Sequence, residues 1–149
     1  MVGWHGLVFA IFKGLVAQSL VPAHAKAETP VVLEAPPLAV SRPPNPENGR
    51  KIVADRRRGM CLLCHSGPFP EERFQGNLAP SLAGAGTRWN EGQLRFRLID
   101  STRINPETTM PAYFRAEDKN RVGRAFSGRT ILSAEEIEDV TAYLSTLRD

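Results

Sequence analysis

Three stretches of the chain repeat apolar positions at helical spacing, and long glycine- and proline-rich segments separate them. The last is the clearest. Ile137, Val140, Leu144 and Leu147 recur every three to four residues, Ser133-x-x-Glu136 reads as a capping box, and Leu132 with Ile137 can form the hydrophobic staple. A second helix opens on Asn90-x-x-Gln93, with Leu94 and Leu98 one turn apart, and ends by Asn105-Pro106. The first starts at Asn45-Pro46, asparagine as cap and proline in the first turn, and is predicted over 46–58 with Ile52 and Val53 facing inward. No strand alternation or internal repeat competes, so the fold class is all-α. Between 66 and 86 no periodicity survives, and a loop that long in a compact domain is functional or wraps around something. A second loop carries Met110-Pro111. Three short helices bury little apolar surface by themselves. A flat apolar group at the centre would remedy this.

Composition changes the picture mainly at the N-terminus. Twelve prolines are many for 149 residues, and six of them lie between Pro30 and Pro46, which marks an extended arm rather than core. Before it, apolar runs at 6–12 and 14–21, split by Lys13, lead to Ala23-x-Ala25. Neither run approaches the roughly 20 residues of a bilayer span, so residues 1–25 read as a cleaved signal peptide, against an uncleaved anchor or amphipathic helix. The expected organisation is a signal over 1–25, a proline-rich arm over 26–45 and one domain over 46–149.

Nineteen basic residues less Lys13 leave 18 against 16 acidic in the processed chain, a net +2 too small to suggest nucleic acid. Basic residues lead before the cysteines (Arg42, Arg50, Lys51, Arg56, Arg57, Arg58), and acids lead at the C-terminus (Glu135, Glu136, Glu138, Asp139). These runs read either as solvated faces or as two oppositely charged docking surfaces.

Cys61-Leu62-Leu63-Cys64-His65 is the pattern of covalent c-type haem attachment. Thiols at i and i+3 share one side of a helical turn, where they can add to the two vinyl groups of one porphyrin, and the next residue supplies an imidazole to the iron. Three plainer readings fit less well. A thioredoxin-like disulfide lacks its βαβ setting, and zinc lacks a fourth ligand because no other cysteine or histidine survives processing. Two buried structural cysteines leave the histidine unexplained. The second iron ligand follows by elimination: Met1 is lost, Met60 abuts Cys61, and Met110 remains, stiffened by Pro111. Lys119 or an open coordination position are the alternatives. The histidine–methionine pair suits electron transfer. Ala79-Pro80-Ser81-Leu82-Ala83-Gly84 resembles a segment of class I cytochromes c, which implies that the Pro80 carbonyl accepts a hydrogen bond from His65; the plainer reading is a proline that shapes a loop. The domain is then a cytochrome c-like fold with long loops around one covalently bound haem c.

Beyond the haem motif the chain resembles the SoxX family, the small c-type cytochrome subunits of the SoxXA complexes of bacterial thiosulfate oxidation. The resemblance rests on Asp55-Arg56-Arg57-Arg58-Gly59, on Gly76-Asn77-Leu78-Ala79-Pro80-Ser81-Leu82-Ala83-Gly84, and on Arg88-Trp89-Asn90-Glu91-Gly92-Gln93-Leu94-Arg95. It continues through Arg103-Ile104-Asn105-Pro106-Glu107-Thr108-Thr109-Met110-Pro111-Ala112-Tyr113, and through Ile131-Leu132-Ser133-Ala134 and Glu138-Asp139-Val140-Thr141-Ala142-Tyr143-Leu144. It implies a periplasmic heterodimer with a SoxA-type cytochrome, which joins thiosulfate oxidatively to a carrier cysteine of SoxYZ (an L-cysteine S-thiosulfotransferase) and passes two electrons to another small cytochrome. The family's iron ligands carry over to His65 and Met110. Joining thiosulfate to a thiol needs a reactive sulfur or an open iron. Here both cysteines are consumed by attachment and the iron is full, so this chain carries no catalytic residue of its own and relays electrons. The alternative is a freely diffusing monohaem carrier, which would share every haem residue; a haem-based sensor fits poorly because no output domain follows.

Overall fold

The computed structural model describes Met1 and residues 33–117 and 123–148. The signal-peptide reading, the start of the arm and Lys119 fall outside the described residues, apart from Met1. The domain lies in the compact unit Val31–Asp149. Among the described residues there are four α-helices and no strand: α1 (Pro46–Ala54), α2 (Ala85–Arg88), α3 (Glu91–Asp100) and α4 (Ala134–Thr146). Single 3-10 turns at Cys61–Leu63, Ser101–Arg103 and Arg124–Phe126 join them. None of the described helices is long and apolar enough to cross a membrane.

The caps do what the sequence leads one to expect. Asn45 accepts from the Asn48 amide at the head of α1, and full capping boxes open α3 at Asn90–Gln93 and α4 at Ser133–Glu136. Helix α1 ends earlier than expected, at Ala54 rather than 58. The Asp55 carboxylate accepts from the amides of Arg57 (2.7 Å) and Arg58 (3.0 Å), a local turn that competes with helix. The chain then folds back under α1, Met60 taking a left-handed φ of 58°. Helix α2 was hidden because one four-residue turn shows no periodicity.

Helices α1 and α4 cross at Gly49, where a Cβ would stand 2.0 Å from the Asp139 carbonyl oxygen; only a hydrogen fits. Val53, Ile137 and Val140 are fully buried around this crossing, and Leu94 and Leu98 of α3 close the same core. Leu62, Phe69, Tyr113 and Ile131 join them from the loops, where periodicity could not reveal them.

The described part of the proline-rich segment is strapped to the domain by buried charge. Arg95 and Glu138, each 4 % exposed, pair bidentately at 2.7 and 2.9 Å, and they also hold the arm: Arg95 donates to the Ala35 carbonyl, and Glu138 accepts from the Leu38 amide. Farther along, Arg42 forks onto the fully buried Asp139, which also accepts from the Asn45 amide and the Asn48 side chain. Arg58 likewise grips Glu136 and the Ile131 carbonyl. Much of the charge separation seen along the chain is thus cancelled inside the fold, while Arg56 and Arg57 stay exposed.

Burial works to raise the Asp139 pKa, but the hydrogen bonds from Arg42, Asn48 and Asn45 outweigh it and hold the carboxyl below the usual aspartate range. A lowered folded pKa stabilises above the unfolded value of about 4 and is lost as the pH falls through the folded value. Thermal midpoints of the wild type should therefore fall steeply below about pH 4. Asp139→Asn should be less stable at neutral pH and show a shallower acid slope, as read by circular dichroism melts across that range.

Candidate haem site

The Cys61–Leu63 turn places its residues by burial. Leu62 is 1 % exposed and enters the core, whereas Leu63 is 46 % exposed. No disulfide joins Cys61 and Cys64. Burial pushes the Cys61 thiol up to about 11, although a hydrogen bond with Tyr113 works the other way. Burial thus disfavours its thiolate form. The Tyr113 hydroxyl donates to the Gly59 carbonyl at 2.6 Å, tying the floor of the site to the residue before the turn.

The segment 76–84 runs beside this turn. Gly76 donates to the Leu62 carbonyl, Ala79 to Cys64 and Leu82 to Ser66. At Gly76 the approach is so close that a Cβ would lie 2.4 Å from the Leu63 oxygen. This pairing brings the Pro80 carbonyl to 2.6 Å from His65 Nδ1. A carbonyl can only accept, so Nδ1 carries the proton and Nε2 is left with its lone pair free.

Met110 comes from the other side of the sequence and is anchored at both ends of its loop. The Ser101 hydroxyl donates to its carbonyl at 2.8 Å, and its amide donates to Thr108 Oγ1. Just beyond, the Tyr113 and Phe114 amides donate to the Leu98 and Ile99 carbonyls of α3.

The turn, the 76–84 segment, α3 and the Met110 loop enclose a largely apolar cavity of about 230 Å³, lined by Cys61, His65, Pro80 and Met110 among others. A second cavity adjoins it and shares these four residues, adding Cys64 and Leu63. Thus Cys61, Cys64, His65, Pro80 and Met110 each line one or both cavities. Imidazole nitrogen and thioether sulfur are donors that suit haem iron, and the walls suit a porphyrin face, so the residues fit the group. The sequence reading did not find Arg88, Trp89, Arg97 and Tyr113 as lining residues; all but Arg97 lie in segments that carry the resemblance, but no spacing assigns them to the cavity.

No family model and no curated protein matches the chain. Among solved structures, one chain in the crystal structure of SoxXA from P. pantotrophus is 38% identical, with a TM-score of 0.66; the match covers 73% of this chain and 85% of that one.

Proposed function

The chain belongs to the family of SoxXA cytochrome chains and is SoxX-like, and on that premise we propose that it is the electron-relaying subunit of a periplasmic SoxXA-type complex. The observation that carries the reading is that His65 and Met110, far apart in sequence, line one apolar cavity together with Cys61. Cys61 and Cys64 would hold haem c through two thioether bonds, and His65 and Met110 would donate to its iron. Haem bound there would supply a one-electron iron couple. Pro80 holds the Nδ1 proton of His65, which keeps Nε2 directed to the metal and makes the imidazole a stronger donor. Met110 would supply the second iron donor, which would leave no position for thiosulfate. The apolar walls exclude water and favour the less charged, reduced iron.

The overall reaction joins thiosulfate to a carrier thiol of SoxYZ and releases one proton and two electrons. One haem takes them singly, so this subunit must pass each on, ultimately to a small electron-accepting cytochrome. Exposed Leu63 and Leu78 border the second cavity, and Phe74 is 82 % exposed on the segment leading to them. An apolar face beside the site supports a docked partner, a SoxA-type cytochrome, over free diffusion. The domain organisation follows the same reading: an export signal over 1–25, an arm over 26–45 and the haem domain over 46–149. A pull-down from the native cells grown on thiosulfate tests it. A second c-type cytochrome should co-purify in equal amount, and recovery of the chain alone would favour the diffusing carrier.

Removing the methionine should be visible at once. Met110→Ala should lower the reduction potential and let added imidazole shift the visible spectrum, whereas the wild-type spectrum should not respond.

A further inference from the structure

Helix α3 and the segment returning from the Met110 loop meet as a short ladder with a constant offset of 15 residues. The Tyr113 amide donates to the Leu98 carbonyl, the Phe114 amide to the Ile99 carbonyl, and Arg115 Nη1 to Asp100 Oδ2 at 2.9 Å. The last of these rungs is made by side chains. Asp100, 6 % exposed, also gathers the other end of the loop. Its Oδ1 accepts from the Thr102 amide at 3.1 Å and from the Thr102 hydroxyl at 2.5 Å. Arg115 Nη1 reaches the same hydroxyl oxygen at 3.2 Å. One carboxylate therefore ties residue 102, where the chain leaves α3, to residue 115, where it comes back.

Backbone rungs carry no register information, because one amide is like the next. A slip by one residue would remake them and carry Met110 about 3.4 Å along the chain direction. Tyr113 resists that slip from the cysteine side, through its hydroxyl on Gly59. Asp100 resists it at the base of the loop itself. The pair is poorly arranged for stability alone. Arg115 is 34 % exposed, and its Nε is buried with no acceptor among the described residues. An unpartnered buried donor offsets much of what the ion pair gains, and what such a pair can still set is register.

Resting on the haem reading above, we infer that the Asp100–Arg115–Thr102 clasp sets the register of the Met110 loop and so holds Met110 where it can donate to the iron. Asp100 and Arg115 are positioning residues: neither lines either cavity, and both act through Met110. With the clasp open, the loop samples the slipped register, and a competing ligand gains access.

The test uses the haem-loaded, mature protein at neutral pH. Ferric iron bound by a thioether shows a charge-transfer absorption band, and its loss reports the departure of Met110. Asp100→Asn keeps an acceptor for Thr102 but removes the charge facing Arg115; Arg115→Gln breaks the same rung from the other side. Both should keep covalent haem and helical circular dichroism but show a weakened band. Both should also bind imidazole at concentrations about tenfold or more below any that affects the wild type, the equivalent of one charge-assisted hydrogen bond. Arg115→Lys, which keeps the charge, should respond less than Arg115→Gln. Variants that melt earlier yet keep the wild-type band and its indifference to imidazole overturn the inference and leave the haem reading intact. If neither charge variant can be recovered folded, Thr102→Val decides, since it loosens the clasp without unpairing a charge. A partial response there supports the inference, and a wild-type response overturns it. Met110→Ala with an unchanged band would place another ligand on the iron and overturn the ligand reading together with the inference.

Discussion

Cys61→Ala/Cys64→Ala, made in a host able to mature c-type cytochromes, should lose all haem that survives acid–acetone extraction. The wild-type protein should instead begin at Lys26 and weigh one haem more than its polypeptide. Each single variant should keep one thioether and remain coloured. The double variant should also be much less stable, because the cavity beside His65 and Met110 is apolar and lies against the core residues Val53, Leu94 and Leu98. Without the proposed haem that lining would face water, a cost of the kind seen for large cavities in other cores, about 24 cal/mol per Å³. Intact mass and a thermal melt read both effects. A double variant with wild-type haem content would show that these thiols are not the attachment points.

The second large effect concerns charge rather than haem. Glu138→Ala strips the bidentate carboxylate from a guanidinium that is itself 4 % exposed, leaving it the Ala35 carbonyl and Glu91 at 4.0 Å, and it removes the acceptor of the Leu38 amide. Breaking a buried pair on one side costs about 3–5 kcal/mol, because the remaining charge is left uncompensated. Domains of this size have about 5–15 kcal/mol in all, so urea titration should show the midpoint falling by about a fifth or more. Replacing both partners with apolar residues, Arg95→Met/Glu138→Leu, should recover most of the loss. A single variant as stable as the wild type would mean that water, not the pair, dominates at this position.

The two effects differ in how far the sequence anticipates them. Helix starts are legible because a capping box is local: Asn90 with Gln93 and Ser133 with Glu136 lie three residues apart. The attachment motif is legible for the same reason. Helix α2 is not, being one turn long. The ion pairs that strap the arm join residues 97 positions apart for Arg42 and Asp139 and 43 apart for Arg95 and Glu138. Read along the chain, those charges look like separate basic and acidic runs, and only packing shows that they meet. Met110 emerges from the sequence by elimination among three methionines, but its place on a cavity shared with His65 depends on Ser101, Leu98 and Ile99 holding its loop.

The relay account is tested most directly by following haem reduction in this chain by visible absorption after thiosulfate is added. The oxidised protein alone should stay oxidised. With a SoxA-type cytochrome and the SoxYZ carrier present, it should become reduced on a catalytic timescale. Reduction by thiosulfate in the absence of both, or none in the presence of both, would contradict the account.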